Sequence, residues 1–527
     1  MPNTKTAREG SGRLAFLVAA GILLSRLMGL VRQRVFSHYF GLSDAADVFS
    51  AAFRIPNFLQ NLFGEGVLSA SFIPVYASLL AREDDEEAGR VAGAVFTILT
   101  LATSLLVLLG VVATPLLIDA IAPGFEGAKR DLAIRVVRIL FPGAGLLVLS
   151  AWCLGILNSH RRFFLSYSAP VIWNLAMIAT LVIYGSRMAQ FPLTETLAWG
   201  SVVGSALQFG VQVPTVLRLA RRLKLSLALA SENVRAVIRN FVPVFISRGV
   251  VQISAYVDAL LASLLPTGAV AGLMSAQLLY TLPVSLFGMS VSAAELPVMS
   301  SALGDEQEVA GYLRRRLDAG LRRIAFFIVP ASAAFLALGD VIAAALLQTG
   351  RFSHADSVFV WGILAGSTVG LLASTLGRLY SSTYYALRDT RTPLKFAVLR
   401  VAATTALGYA MAIPLPPALG IDPRWGVAGL TASAGIAGWI EFALLRRTLG
   451  RRIGPTGVPA PLLAKLWTAA IAAAAVGWGV KLAIGRQNPV LAAALILTPY
   501  GLVYFGMAAA FGVDEARGLA ARLRRLR

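Results

Sequence analysis

Apolar runs long enough to cross about 30 Å of hydrocarbon recur along this whole chain, with short polar loops between them. That pattern constrains the fold before any other feature does. A backbone inside hydrocarbon must satisfy its own N–H and C=O groups, so segments of this length are helices. Composition agrees. Of 527 residues, 57 % are hydrophobic and 14 % charged, against about 25 % charged in soluble domains. Hydropathy places about fourteen spans, near 12–36, 44–80, 90–122, 131–157, 163–186, 194–219, 235–262, 269–302, 318–348, 356–388, 394–414, 425–447, 462–484 and 489–511. The expected fold class is an all-α polytopic membrane protein. The basic N-terminus runs into an apolar stretch interrupted by Arg26, which does not read as a cleaved signal peptide.

An even number of spans puts both ends on one side, and loop charge chooses the side. One set of alternate loops holds Arg161 and Arg162, the run Arg218 to Lys224, the run Arg314 to Arg323, Arg388 to Lys395, and Arg446 to Arg452. The opposite loops hold little beyond Lys129, Arg130, Arg187, Arg351, Arg424 and Arg486. The basic set is cytoplasmic, with both termini. The acidic run Glu83 to Glu87 falls on the same side, where it has little influence on orientation and reads as a solvated surface. This topology also accounts for the formal charge of +20, so the basic excess does not point to nucleic acid.

The chain repeats itself. Leu62-Phe63-Gly64, followed by Ile73-Pro74-Val75, resembles Leu286-Phe287-Gly288, followed by Leu296-Pro297-Val298. Pro74 and Pro297 lie 223 residues apart, and so do Pro170 and Pro393, each of which follows a basic loop. An even number of spans separates the copies, so the repeat is parallel, as in transporters built from two six-helix lobes. The expected lobes are 1–222 and 235–452, with two further helices and a basic tail in 453–527.

Charged side chains at mid-membrane cost a few kcal/mol or more, so they face protein or water. The first span carries Arg26, Arg32 and Arg34; the second carries Asp47, Arg54 and Glu65, with Asn57 and Gln60 between them. Asp47, Arg54 and Glu65 return to nearly the same helical face. Pro56 and the Gly64/Gly66 pair would let that helix bend. Later spans carry Arg248, Asp258, Glu295 and Arg378. One reading has each charge neutralised by a neighbour or snorkelling to an interface. The other notes that Arg26, Arg32, Arg54 and Arg248 outnumber Asp47, Glu65 and Asp258, which leaves a net positive cavity. A planar guanidinium donates paired hydrogen bonds to phosphate, so that cavity would suit a pyrophosphate.

Signals for other chemistry are weak. One cysteine, Cys153, rules out an internal disulfide, and three histidines scattered over different loops offer no metal site. Phe63-Gly64-Glu65-Gly66 lacks the Gly-Lys-Ser/Thr ending of a phosphate loop. No serine–histidine–aspartate grouping appears, and the loops are too short for a catalytic domain. The expectation is a transporter without cofactor or metal, not an enzyme.

Several strings resemble the MurJ (MviN) lipid II flippases. Ser25-Arg26 with Gly29 and Arg32, Phe40-Gly41, Asp47, Phe53-Arg54-Ile55-Pro56-Asn57, Glu65-Gly66 and Phe72-Ile73-Pro74 match that family's N-terminal signature. Asn158-Ser159 through Arg162-Phe163 with Pro170 and Asn174, then Gly350-Arg351-Phe352 and Tyr384 to Pro393, match later stretches. The resemblance implies fourteen helices in the multidrug/oligosaccharidyl-lipid/polysaccharide exporter superfamily. It implies outward flipping of undecaprenyl-pyrophosphate disaccharide-peptide by alternating access, with cavity positions at Arg26, Arg32, Asp47 and Arg54. The sequence departs from the family at Gln33, Gln60-Asn61 and Leu278, where the family carries charge; Arg248 is the expected replacement for the last. Asn57, Gln60, Glu65 and Asp258 are expected cavity or gating residues. The expected partners are lipid II, bilayer lipids and cell-wall synthesis or division proteins, with the chain a monomer in the bacterial inner membrane. Export of another polyprenyl-linked oligosaccharide, or drug/cation antiport, are the alternatives; antiport should want carboxylates in the cavity.

Overall fold

The computed structural model describes the backbone of residues 4–301, 305–485 and 487–518, and their side chains apart from 4–19, 22, 65 and 246–255. Among the described residues the elements are all helical, with no β-strand. Among the described residues, eleven helices are long and apolar enough to cross a membrane, or twelve if a pair bent by 44° is a single span. The first and eighth helices include residues whose side chains are outside the description, and fourteen spans stays an expectation for the whole chain.

The chain forms two units. Unit 1 comprises Met1–Leu264 with Thr349–Arg351, and unit 2 comprises Leu265–Gln348 with Phe352–Arg527. Unit 1 holds α1 (Thr4–Phe40), α2 (Asp44–Phe63), α3 (Glu65–Ala81), α4 (Asp85–Ile121), α5 (Gly127–Ser159), α6 (Phe163–Tyr184), α7 (Gln190–Leu219) and α8 (Glu232–Ser263). The α8 helix, counted by the repeat as the first of the second lobe, packs on α3 and α4. At the core is α5, against α2, α3, α4 and α7. Several polar donors in this core find acceptors, because an unpaired group is costly away from water. Gln208 Nε2 and Gln212 Nε2 donate to Ser150 Oγ at 3.0 and 2.6 Å. Trp152 Nε1 donates to Ala92 O at 3.1 Å. Pro115 has no N–H for the carbonyl four residues earlier, and Arg138 Nε donates to that Val111 O at 3.3 Å.

Unit 2 holds α9 (Ala269–Pro283), a π-helical segment (Val284–Met289), α10 (Ser290–Ser300), α11 (Glu306–Leu347), α12 (His354–Thr368), α13 (Leu371–Ala386), α14 (Arg391–Ala412), the single turn α15 (Leu415–Ala418), α16 (Gly426–Ile453), α17 (Ala460–Ala483) and α18 (Pro489–Ala510). The long α11 packs on α12, α13, α17 and α18. Pro330 in α11 frees the Phe326 carbonyl, which accepts from Tyr504 Oη at 2.6 Å. Tyr500 Oη donates to Pro330 O at 2.5 Å. Farther along, α11 kinks at Leu338 (φ −128°, ψ 17°), and two indoles cap the loosened carbonyls. Trp361 Nε1 donates to Phe335 O at 3.0 Å and Trp478 Nε1 to Ala337 O at 2.7 Å. Hydroxyl and indole donors thus dock α17 and α18 onto α11, although these two helices lie outside the repeat.

The repeated Leu-Phe-Gly motif marks a helix irregularity in each unit. In unit 1 the helix breaks at Gly64, where an added Cβ would stand 2.2 Å from Gln60 O. In unit 2 Gly288 lies in the π-helical turn, where a Cβ would meet Thr375 Cγ2 at 2.4 Å. Such π-turns concentrate at functional positions.

Candidate functional site: guanidinium groups within unit 1

The α1 helix carries Arg26 and Arg32 past α6, on which it packs. Arg26 is exposed and Arg32 half-buried. Between them, a Cβ at Gly29 would meet nothing within 4 Å, so this side of α1 is open. The Arg32 guanidinium lies over the Trp173 ring at 4.8 Å from its centroid, and its Nη1 reaches Met177 Sδ at 4.0 Å. Trp173 stacks in turn on Phe53 of α2, with centroids 5.7 Å apart. An arginine on an indole is held by the ring's negative face, worth about 2 kcal/mol or more when desolvated. That contact orients the fork without supplying a carboxylate.

Next to Phe53 on α2, the Arg54 side chain is half-buried. Its carbonyl accepts from Tyr256 Oη of α8 at 2.9 Å, and the Asp258 carboxylate acts on its guanidinium electrostatically. Asn57 and Gln60 lie half-buried farther along α2. The expected Glu65 and Arg248 fall outside the described side chains, so the compensation assigned to Arg248 has no geometry to rest on.

Asp47 is placed differently from Arg32 and Arg54. It is 1 % exposed and sits in the first turn of α2, where a carboxylate suits the helix dipole. Lys129 Nζ, from the start of α5, reaches Asp47 Oδ2 at 2.9 Å and Asp44 Oδ1 at 2.7 Å. Lys129 also lies 4.6 Å over the Phe125 ring. The structure therefore brings Arg32 to Trp173 and Arg54 to Asp258, and it ties Asp47 to a lysine that the sequence placed in an outer loop.

Sequence reasoning missed Trp173, Tyr256 and Lys129. Tyr256, two residues before Asp258 in a predicted span, was the one a search for polar groups could have found. Trp173 and Lys129 reach their partners only through packing.

Three carboxylates in helices of unit 2 also have basic partners. Arg316 Nη2 lies 2.7 Å from Glu295, Lys481 Nζ 2.6 Å from Asp340, and Arg400 Nη1 3.1 Å from Glu441. For Glu295 the neighbour-neutralised reading holds.

The family model described as "Lipid II flippase MurJ" matches residues 36–498. The chain belongs to the MurJ family of lipid II flippases. Arg26 and Arg32 lie upstream of that match. The chain is 30 % identical over 524 residues to the "Lipid II flippase MurJ" of Burkholderia cenocepacia, covering 95 % of this chain and 98 % of that one. It is 30 % identical over 499 residues to a "Probable lipid II flippase MurJ" of Rhizobium meliloti, covering 94 % and 90 %. In fold it is similar to a solved "Lipid II flippase MurJ, inward closed conformation", with TM-score 0.77, 24 % identity, and 95 % and 99 % of the two chains covered. An inward-facing multidrug MATE transporter of the MOP superfamily also shares the fold, with TM-score 0.66 and 17 % identity over 83 % of this chain and 98 % of that one. The MurJ assignment carries the polytopic helical architecture with it.

Proposed function

We propose that this chain flips lipid II, the undecaprenyl-pyrophosphate-linked peptidoglycan precursor, from the inner to the outer leaflet by alternating access. The observation that carries the proposal, beside family membership, is that α1 presents Arg26 and Arg32 on a helix open at Gly29, with Arg32 braced by an indole. A braced cation keeps its donors for a ligand. Arg26, Arg32 and Arg54 bind the pyrophosphate on this reading, Arg248 adds to them, and Asp47 with Lys129 holds the outer end of α2 in place. Glu65, Asn57, Gln60 and Asp258 line or gate the path. Release outward requires weaker binding in the outward state, since only differential affinity drives the change. The chain carries out transport without catalysis, in the cytoplasmic membrane, with both termini in the cytoplasm and as a monomer.

The MATE likeness raises cation antiport. That reading wants carboxylates free to bind a cation. Instead Asp47, Glu295, Asp340 and Glu441 each have a lysine or arginine within 3.1 Å, which favours the anionic cargo.

The test is reconstitution of the full chain in liposomes with labelled lipid II, scored by access of an external probe. Protein-dependent transfer is expected, with Arg26→Ala and Arg32→Ala abolishing it and abolishing growth of cells depleted of their own flippase. Full growth with either variant would refute the role of that arginine.

A further inference from the structure

Unit 2 contains a cavity of about 430 Å³ that the arginines of unit 1 do not explain. It is lined by α9, the π-helical segment and its continuation α10, and by α13, α14 and α16. Its charged groups are Arg378, Arg400 and Glu441. Arg400 is paired with Glu441 at 3.1 Å. Arg378 makes no ion pair among the described residues. Tyr280 Oη and Ser374 Oγ are hydrogen-bonded to each other at 2.7 Å on the wall. Ser292, 8 % exposed, has a buried hydroxyl oxygen with no hydrogen-bond partner.

Depth decides what such a cavity can be. Arg378 is ten residues before the cytoplasmic Arg388, Arg400 five residues after Lys395, and Glu441 five residues before Arg446. At 1.5 Å per residue Arg378 is about 15 Å in from the cytoplasmic charges and the Arg400–Glu441 pair about 7 Å, so the cavity reaches from the cytoplasmic side toward the middle of a roughly 30 Å hydrocarbon core. No arginine stem bridges that distance to an interface, so snorkelling does not relieve Arg378. A guanidinium at this depth has to face water or a polar ligand, not lipid. Two guanidiniums against one carboxylate leave one positive charge. Around it stand hydroxyls, one of them unsatisfied, and a helix wall loosened by a π-turn. Those are the donors an oxyanion needs, and the planar fork of Arg378 is shaped for one.

We propose that this cavity is an oxyanion site of unit 2, in which Arg378 binds one anionic group of the translocated headgroup, a phosphate or a carboxylate, within the cytoplasmic half of the membrane. The proposal rests on the flippase reading for its cargo, but its binding test does not need transport. The full chain in nanodiscs is titrated with three probes: lipid II, undecaprenyl diphosphate, and inorganic pyrophosphate. Losing one charge-assisted hydrogen bond predicts about ten-fold weaker binding for Arg378→Gln. Arg378→Lys should be intermediate, because it keeps the charge and loses the fork. Arg32→Gln is the parallel control, and a thermal midpoint within a degree or so of wild type shows the fold intact; if Arg378→Gln unfolds, the lysine variant carries the test.

Weakening of all three probes assigns the site to phosphate. Weakening of lipid II alone assigns it to a carboxylate of the peptide. Either result supports the site. If Arg32→Gln weakens binding while both Arg378 variants bind every probe as wild type does, the site is refuted and the flippase reading stands. Transport failing in wild type, with Arg378-dependent pyrophosphate binding retained, refutes the flippase reading and leaves the site.

Discussion

Replacing Lys129 with methionine removes the cation that holds Asp44 and Asp47. Methionine keeps the length of the stem and most of its packing on Phe125. The Asp47 side chain is 2 % exposed and that of Lys129 is 17 % exposed, with Nζ and Oδ2 2.9 Å apart. The gross Coulomb attraction at that distance is about 6 kcal/mol for an effective dielectric of 20, offset in part by desolvation of both ions. Removing one partner of a buried pair typically costs about 3–5 kcal/mol, because the remaining charge is left without compensation. For a cooperative unit of roughly 260 residues that corresponds to a midpoint lowered on the order of 5–10 °C. Asp47→Asn in the Lys129→Met background should recover much of the loss, since the uncompensated carboxylate is gone. Thermal unfolding of the detergent-solubilised chain reads the cycle, with lipid II transfer measured on the same four proteins. If the double variant is stable and still inactive, Asp47 serves transport directly as well as the fold. The reasoning fails if Lys129→Met unfolds at the wild-type midpoint, or if the two single effects simply add.

Three further outcomes follow from particular contacts. Tyr504→Phe should cost about 1–2 kcal/mol by stranding the Phe326 carbonyl; Pro330→Ala should lessen that cost, because the restored N–H at 330 reclaims the carbonyl, and thermal midpoints of the single and double variants check it. Gly288→Ala should destabilise by about 1–3 kcal/mol through the clash with Thr375, and Thr375→Ser, which lacks the Cγ2 methyl, should relieve it. In the loop before α14, the Thr392 backbone N–H, with the Thr392 hydroxyl and Arg452, holds the Asp389 carboxyl below its usual range. A lowered folded pKa contributes stability above the unfolded value of about 3.9 that is lost as pH falls through the folded one. Asp389→Asn should therefore be less stable than wild type at neutral pH, and the gap should close as the medium is taken below about pH 4; a gap unchanged by acid would refute it.

What the sequence by itself determined is what one dimension can carry. Span length, loop charge and the 223-residue offset follow from hydropathy and spacing along the chain, because the bilayer imposes the same length and the same internal hydrogen bonding on every segment. The break at Gly64 was legible for the same reason: glycine and proline act on the backbone where they stand. Charge in the first two spans was legible as a cost that needs a use. Which groups meet across helices was decided by the tertiary structure alone. Arg32 and Trp173 are 141 residues apart, and Asp47 and Lys129 are 82 apart; nothing in local pattern links them, since contact depends on how α1, α2, α5 and α6 pack and rotate. The same holds for α8, assigned to the second lobe by repeat and found packed in unit 1, and for Arg378, Arg400 and Glu441, which become one pocket only when three helices face a common space.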